Sequence, residues 1–157
     1  MKVSVIGYGT RGDVQPAMVL ADALRNRGHA VRVLAGTDLA RMLARAGLAH
    51  QPFPFDWKAV FNDPEGRAML ARGDTATFLK WLNRVQAACA SALNRTIVDG
   101  CAGADLIVAD TLMLNHALAV ATAKDIPMLP VSMYSLPPSS VYPSPFITTK
   151  NLGPLNR

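Results

Sequence analysis

The amino-acid sequence predicts an α/β protein, a doubly wound parallel sheet, and two observations carry that prediction. Short runs rich in Val, Ile and Leu alternate with longer segments of helical periodicity over the first fifty residues and again between Leu106 and Met133. A glycine-rich turn, Gly7-Tyr8-Gly9-Thr10-Arg11-Gly12, falls directly after the first such run. Strands alternating with helices at this spacing pair in parallel and are covered on both faces.

The elements follow in order. Lys2 to Ile6 is the first strand. A helix is expected from Pro16 to Arg27, because proline suits the first helical position and Gly28 supplies the stop; Met18, Leu20, Ala21 and Leu24 form its apolar face. Ala30 to Ala35 is the second strand. Thr37 or Asp38 caps a helix to Ala46, ended by Gly47. His50 to Phe53 is a third strand, and residues 52–74, with their Pro, Asn, Asp and Gly, read as a long excursion with at most one helical turn. A long helix is predicted over Thr77 to Val98 from Leu79, Leu82, Val85, Ala88 or Cys89, Ala92 and Leu93. Leu106 to Ala109 is a buried strand, Leu114 to Lys124 a helix and Met128 to Met133 the last strand. Five of the eleven prolines then fall between Pro137 and Pro154. The expected organisation is a domain over residues 1–136 followed by a Pro/Ser-rich loop, 137–157, that leads to a further domain.

Composition narrows the function. The 157 residues suffice for one domain with a sizeable core, and the 17% charged residues are ordinary for a soluble protein. The net charge of +5 is spread over single arginines, with no basic block interleaved with aromatics, so nucleic-acid binding is not indicated. A mild attraction to anionic substrates or to a membrane surface stays open. Cys89 and Cys101 read as apolar fillers in a reducing compartment, and no His or Cys has metal-ligand spacing, so no metal site is expected. Without a long apolar run near Met1, a cytoplasmic location is the default.

The glycine turn supports two chemistries. It matches the G-x-G-x-x-G pattern of dinucleotide sites, which would make this an NAD(P)-binding or small-molecule-binding module. Against that reading, Pro16 marks a helix start beyond the third glycine, no acidic residue ends the second strand, and Asp13 would place negative charge beside a pyrophosphate.

The block Gly9-Thr10-Arg11-Gly12-Asp13-Val14-Gln15-Pro16, with Arg27-Gly28-His29 and Val31 leading into the second strand and Tyr142-Pro143-Ser144-Pro145 after the last, resembles the N-terminal signature of inverting GT-B glycosyltransferases. The most similar branch holds the glycopeptide-antibiotic, sterol and glycolipid glycosyltransferases. The resemblance spans nearly the whole chain, though only the Gly9–Pro16 block is specific. It implies a Rossmann-like sheet forming one half of a two-domain enzyme, with a C-terminal donor-binding domain as partner. The co-substrate would be a UDP- or TDP-sugar, with no resident cofactor, and the acceptor a hydrophobic natural product, sterol or lipid. Histidine-bearing relatives carry H-x-x-P where this chain has Asp13, so Asp13 is implied as the base that takes the acceptor hydroxyl's proton. Helix capping is the competing role for Asp13.

Gly9, Thr10, Arg11 and Gly12 would meet the donor diphosphate through backbone amides and a guanidinium fork. Tyr8, Asp110, Thr111, Leu112, Met133 and Tyr134 follow strand ends and would line the acceptor pocket, although Asp110 can equally cap the following helix. Phe55, Trp57, Phe61, Phe78 and Trp81 form either the outer wall of that pocket or core; His116 is expected too far along its helix to reach the cleft. No diphosphate loop of the His-Gly-Gly type occurs, so the chain alone is expected to be inactive.

Overall fold

The computed structural model of the chain describes residues 1–132, 141, 142 and 153. Five strands, β1 (Lys2–Ile6), β2 (Ala30–Gly36), β3 (Ala49–Phe53), β4 (Leu106–Asp110) and β5 (Met128–Val131), form one parallel sheet in the order β3-β2-β1-β4-β5. The centre of the sheet is covered on both sides, since β1 is buried from Val3 to Ile6, and the hydroxyl of its one buried polar residue, Ser4, donates to the Gly100 carbonyl at 2.8 Å.

Alternating strand residues serve two cores. Val3, Val5, Val33, Ala35 and Val108 pack with Val14, Ala17 and Ala21 of α1 (Arg11–Asn26) and Leu43 of α2 (Ala40–Arg45). Ile6, Leu34, Ile107 and Ala109 point the other way. They meet Leu93 and Ile97 of α5 (Thr75–Gly100), Ala117 and Ala121 of α6 (Leu114–Lys124), and the aromatic residues of the excursion. This is the Rossmann-like doubly wound arrangement the sequence predicts.

Two boundaries move. Helix α1 begins at Arg11, not at Pro16. Thr10 is its N-cap, and its amide and hydroxyl donate to Asp13 Oδ2 at 2.8 and 2.9 Å, so local capping chemistry starts the helix before the proline. Pro16 is exposed, and the helical bond it forgoes is to the carbonyl of Gly12, an exposed residue that water reaches. One argument against a dinucleotide site thereby falls: Gly12 lies in the first turn of the helix. The second correction concerns the excursion, which holds two helices, α3 (Trp57–Asn62) and α4 (Pro64–Ala71). The Asp residues that read as loop are their caps. Asp56 accepts from the Ala59 amide at 2.7 Å, and Asp63 from the Glu65 and Gly66 amides at 2.9 and 3.1 Å. The predicted strand end at Met133 lies outside the described residues, as does most of the 137–157 loop.

Helix α5 packs against the sheet up to its last residue. A Cβ on Gly100 would collide with the buried Leu34 side chain, standing 2.9 Å from Cγ. Gly100→Ala is therefore expected to lower unfolding stability by about 1–3 kcal/mol, despite alanine's better helix propensity. Urea unfolding measures this, and an unchanged midpoint would mean that Leu34 repacks freely.

Candidate functional site

The direction of strand order reverses between β1 and β4, and the segments after these two strands flank a crevice, where doubly wound sheets bind ligands. On one side stands the glycine turn. Gly7 packs close to α1, since a Cβ there would lie 3.2 Å from Val14 Cγ1, and its amide donates to the Leu34 carbonyl at 2.9 Å. Gly9 holds φ at +124°, and a Cβ there would stand 2.7 Å from the Asp13 carboxyl carbon. Only glycine lets the turn pass so close to that carboxylate.

Asp13 is half-buried at the third helical position, and one of its oxygens, Oδ2, is the cap acceptor for Thr10. Oδ1 accepts no hydrogen bond among the described residues. Capping and acid/base chemistry are thus compatible in one side chain: the cap fixes the rotamer and leaves an oriented oxygen for a ligand. Arg11 is exposed, and its Nε donates to Gln15 Oε1 at 3.2 Å. The Arg11 and Gly12 amides belong to the first helical turn and have no intrahelical acceptor, whereas the Thr10 amide is already engaged by Asp13. A carboxylate therefore occupies part of the place where a dinucleotide's pyrophosphate would sit. Strand β2 ends at Gly36, with Asp38 two residues beyond it.

On the other side stands Asp110, 7% exposed. One of its oxygens accepts from the Tyr8 amide, the other from the Met113 amide at 3.0 Å. Asp110 caps the turn after β4 and ties it to the glycine turn 102 residues away in sequence. Burial pushes its carboxyl up to about 6, opposed by the amides of Tyr8, Met113 and Leu112 and reinforced by the charge of Asp13. Both oxygens being engaged, Asp110 acts in the structure as a strut between the two walls.

A cavity of about 460 Å³ opens beside this strut, lined among others by Tyr8, Trp57, Gln86, Leu112, Met113 and His116. Of the residues expected to line an acceptor pocket, Tyr8 and Leu112 line this cavity; Thr111 is half-buried but not part of the lining, and Met133 and Tyr134 lie outside the described residues. The proposed aromatic wall divides. Trp57 lines the cavity, while Phe55, Phe78 and Trp81 are core residues, 5–7% exposed. Phe61 bridges them, its ring centroid 5.8 Å from that of Trp57 and 6.0 Å from that of Phe78. Aromatics of one cluster stack on each other before any ligand, which is why four of the five turn inward.

His116 does line the cavity, contrary to the expectation for it: α6 starts at Leu114 as predicted, so His116 stands in its first turn, close to the end of β4. Sequence reasoning also missed Asn83 and Gln86 on α5. Their signal was two carboxamides breaking the otherwise apolar face of that helix. The Gln86 amide donates to the Tyr8 hydroxyl at 3.2 Å. Burial, foremost, pushes the Tyr8 phenol up to about 12, with the Gln86 bond acting against it. A larger groove, about 670 Å³ between α5 and α6, involves no residue of the glycine turn.

Comparison with known proteins agrees with this fold. Residues 3–121 match the glycosyltransferase family 28 N-terminal domain. The chain is 28% identical over 159 residues to O-mycaminosyltylonolide 6-deoxyallosyltransferase of Streptomyces fradiae, covering 99% of this chain and 36% of that protein. It is also 28% identical over 155 residues to vancomycin aglycone glucosyltransferase of Amycolatopsis orientalis, covering 98% and 35%. The chain thus spans about a third of the length of these relatives. Among solved structures, the calicheamicin glycosyltransferase CalG4 superposes with a TM-score of 0.63 at 17% identity, over 87% of this chain and 33% of that one. Glycosyltransferase VinC in complex with DTDP gives 0.60 at 18% identity, over 84% and 34%. At such identities the structures establish the fold alone, and it is the fold of part of two-domain glycosyltransferases. On the strength of the domain match, which covers most of its length, the chain belongs to the family of glycosyltransferase family 28 N-terminal domains.

Proposed function

We propose that this domain is the acceptor-binding half of an inverting glycosyltransferase, which moves a sugar from a nucleotide-diphosphate sugar to a hydroxyl of a hydrophobic acceptor, with Asp13 as the base. The observation that carries the reading is the free Asp13 oxygen, oriented by the Thr10 cap in the same glycine turn whose Tyr8 lines a cavity free of Asp, Glu, Lys and Arg. The acceptor's reacting hydroxyl gives its proton to Asp13 Oδ1 as its oxygen bonds to the anomeric carbon, and the nucleoside diphosphate leaves with the electron pair of the broken bond. The hydroxyl grows acidic as that new bond forms, so a carboxylate is a sufficient base. The first-turn amides of Arg11 and Gly12 and the Arg11 guanidinium face the donor diphosphate, whose remaining contacts come from a C-terminal domain. The VinC complex with DTDP supports a nucleotide donor of the TDP or UDP kind.

The test compares the chain alone with the chain joined to the C-terminal half of a relative such as vancomycin aglycone glucosyltransferase. Transfer from TDP- and UDP-sugars to an apolar phenolic acceptor is followed, together with the configuration of the product. The expected result is product of inverted anomeric configuration from the joined protein and none from the chain alone. Turnover by the chain alone would sink its dependence on a partner domain. Retained configuration would sink the base role of Asp13. Tight binding of NAD(H) would restore the dinucleotide reading, which gains from Gly12 lying in the first turn of α1.

A further inference from the structure

The lining of the cavity beside Asp110 contains no Asp, Glu, Lys or Arg. Its polar groups are carboxamides, a phenol, an indole and an imidazole. Two of these are committed in an informative way. Tyr8 is 4% exposed, and its hydroxyl oxygen accepts from Gln86 Nε2, which leaves the phenolic hydrogen with no acceptor among the described residues. Trp57 is 6% exposed, and its indole Nε1 is buried with no hydrogen-bond partner. Their rings meet edge-on at 5.1 Å, so the two unspent donors belong to one wall. A buried donor without a partner is costly unless something supplies an acceptor.

We infer that Tyr8, held by Gln86, is a specificity-determining residue that donates its hydroxyl hydrogen to an oxygen of the acceptor, a carbonyl or ether oxygen on an otherwise uncharged ring system and distinct from the reacting hydroxyl. The inference rests on the reading of this cavity as the acceptor site. It goes further by naming which chemical feature the cavity reads. A cationic amine finds no carboxylate in the lining, and a hydrocarbon of the same shape leaves the Tyr8 hydrogen unpaired. Gln86 acts through Tyr8: its amide occupies the hydroxyl's acceptor lone pair and so directs the remaining hydrogen. With its phenol at about 12, Tyr8 stays a donor across the working pH range.

The test uses 9-fluorenone and fluorene, rigid tricycles of one shape that differ by a carbonyl, with affinities for the whole chain measured by equilibrium dialysis. Fluorenone is expected to bind about fivefold to tenfold more tightly. Tyr8→Phe is expected to bring that ratio to about one while leaving fluorene affinity in place, and Gln86→Leu to reduce it. The ratio is insensitive to general damage, which weakens both ligands together. Should Tyr8→Phe lose both ligands, Gln86→Leu, which keeps the phenol, decides by the same ratio. Equal binding of the two tricycles by the wild-type chain, or a preference that survives Tyr8→Phe, overturns the inference and leaves the acceptor site standing. Binding of neither overturns both.

Discussion

Replacing Asp13 by asparagine is expected to lower kcat of the joined two-domain enzyme by about 10²–10⁴-fold, the usual span for loss of a general base, with KM for the acceptor within severalfold of wild type. Asparagine is the informative substitution because its Oδ1 can still accept from the Thr10 amide and hydroxyl, which now donate to Asp13 Oδ2 at 2.8 and 2.9 Å. The helix start, the glycine turn and the fold are then preserved, and what disappears is the ability to take a proton. Asp13→Ala removes the cap as well and adds about 1 kcal/mol of instability, so a difference in stability but not in rate between the two variants isolates the capping role. Steady-state kinetics beside thermal unfolding of both variants is the measurement. A kcat for Asp13→Asn close to wild type would mean that the base lies elsewhere.

The second large effect belongs to Asp110. Asp110→Ala should destabilise the domain by about 2–5 kcal/mol, because it leaves the Tyr8 and Met113 amides without their acceptor in a buried site. Its pH signature separates it from an ordinary core defect. In the folded chain the carboxyl is raised from 3.8 to about 6, chiefly by burial. The native state therefore holds the proton more tightly than the unfolded state does. The stability that proton confers is full below about 3.8 and is lost as the pH rises through about 6. Over that window this group lowers wild-type stability by up to about 1.4 kcal/mol per pH unit. Asp110→Asn, which cannot titrate, should lack this slope. Urea unfolding of wild type and Asp110→Asn across the window measures it, and parallel curves would show that Asp110 titrates alike folded and unfolded.

The alternation of strands and helices, the glycine turn and the place of Asp13 beside it were all legible in the sequence, because each depends on residues within a few positions of one another. Apolar periodicity marks an element wherever it packs, and a turn that needs φ at +124° accepts glycine at position 9 in any surroundings. Where local signals competed, the sequence alone did not rank them. Pro16 outweighed the Thr10–Asp13 capping box as the start of α1, and Asp56 and Asp63 looked like loop residues although each caps a helix.

What the sequence determined by itself, then, was the parallel α/β frame, the glycine turn after its first strand and the one carboxylate set beside that turn. Only the tertiary structure decided which polar groups meet across the crevice: Asp110 with the Tyr8 amide, Gln86 with the Tyr8 hydroxyl 78 residues away, with His116 at the cavity and four of the five aromatics buried. The physical reason is range. Capping, turn geometry and helical periodicity act over at most a few turns of chain, whereas the pairing of buried polar groups depends on sheet order and strand register, which bring distant residues together.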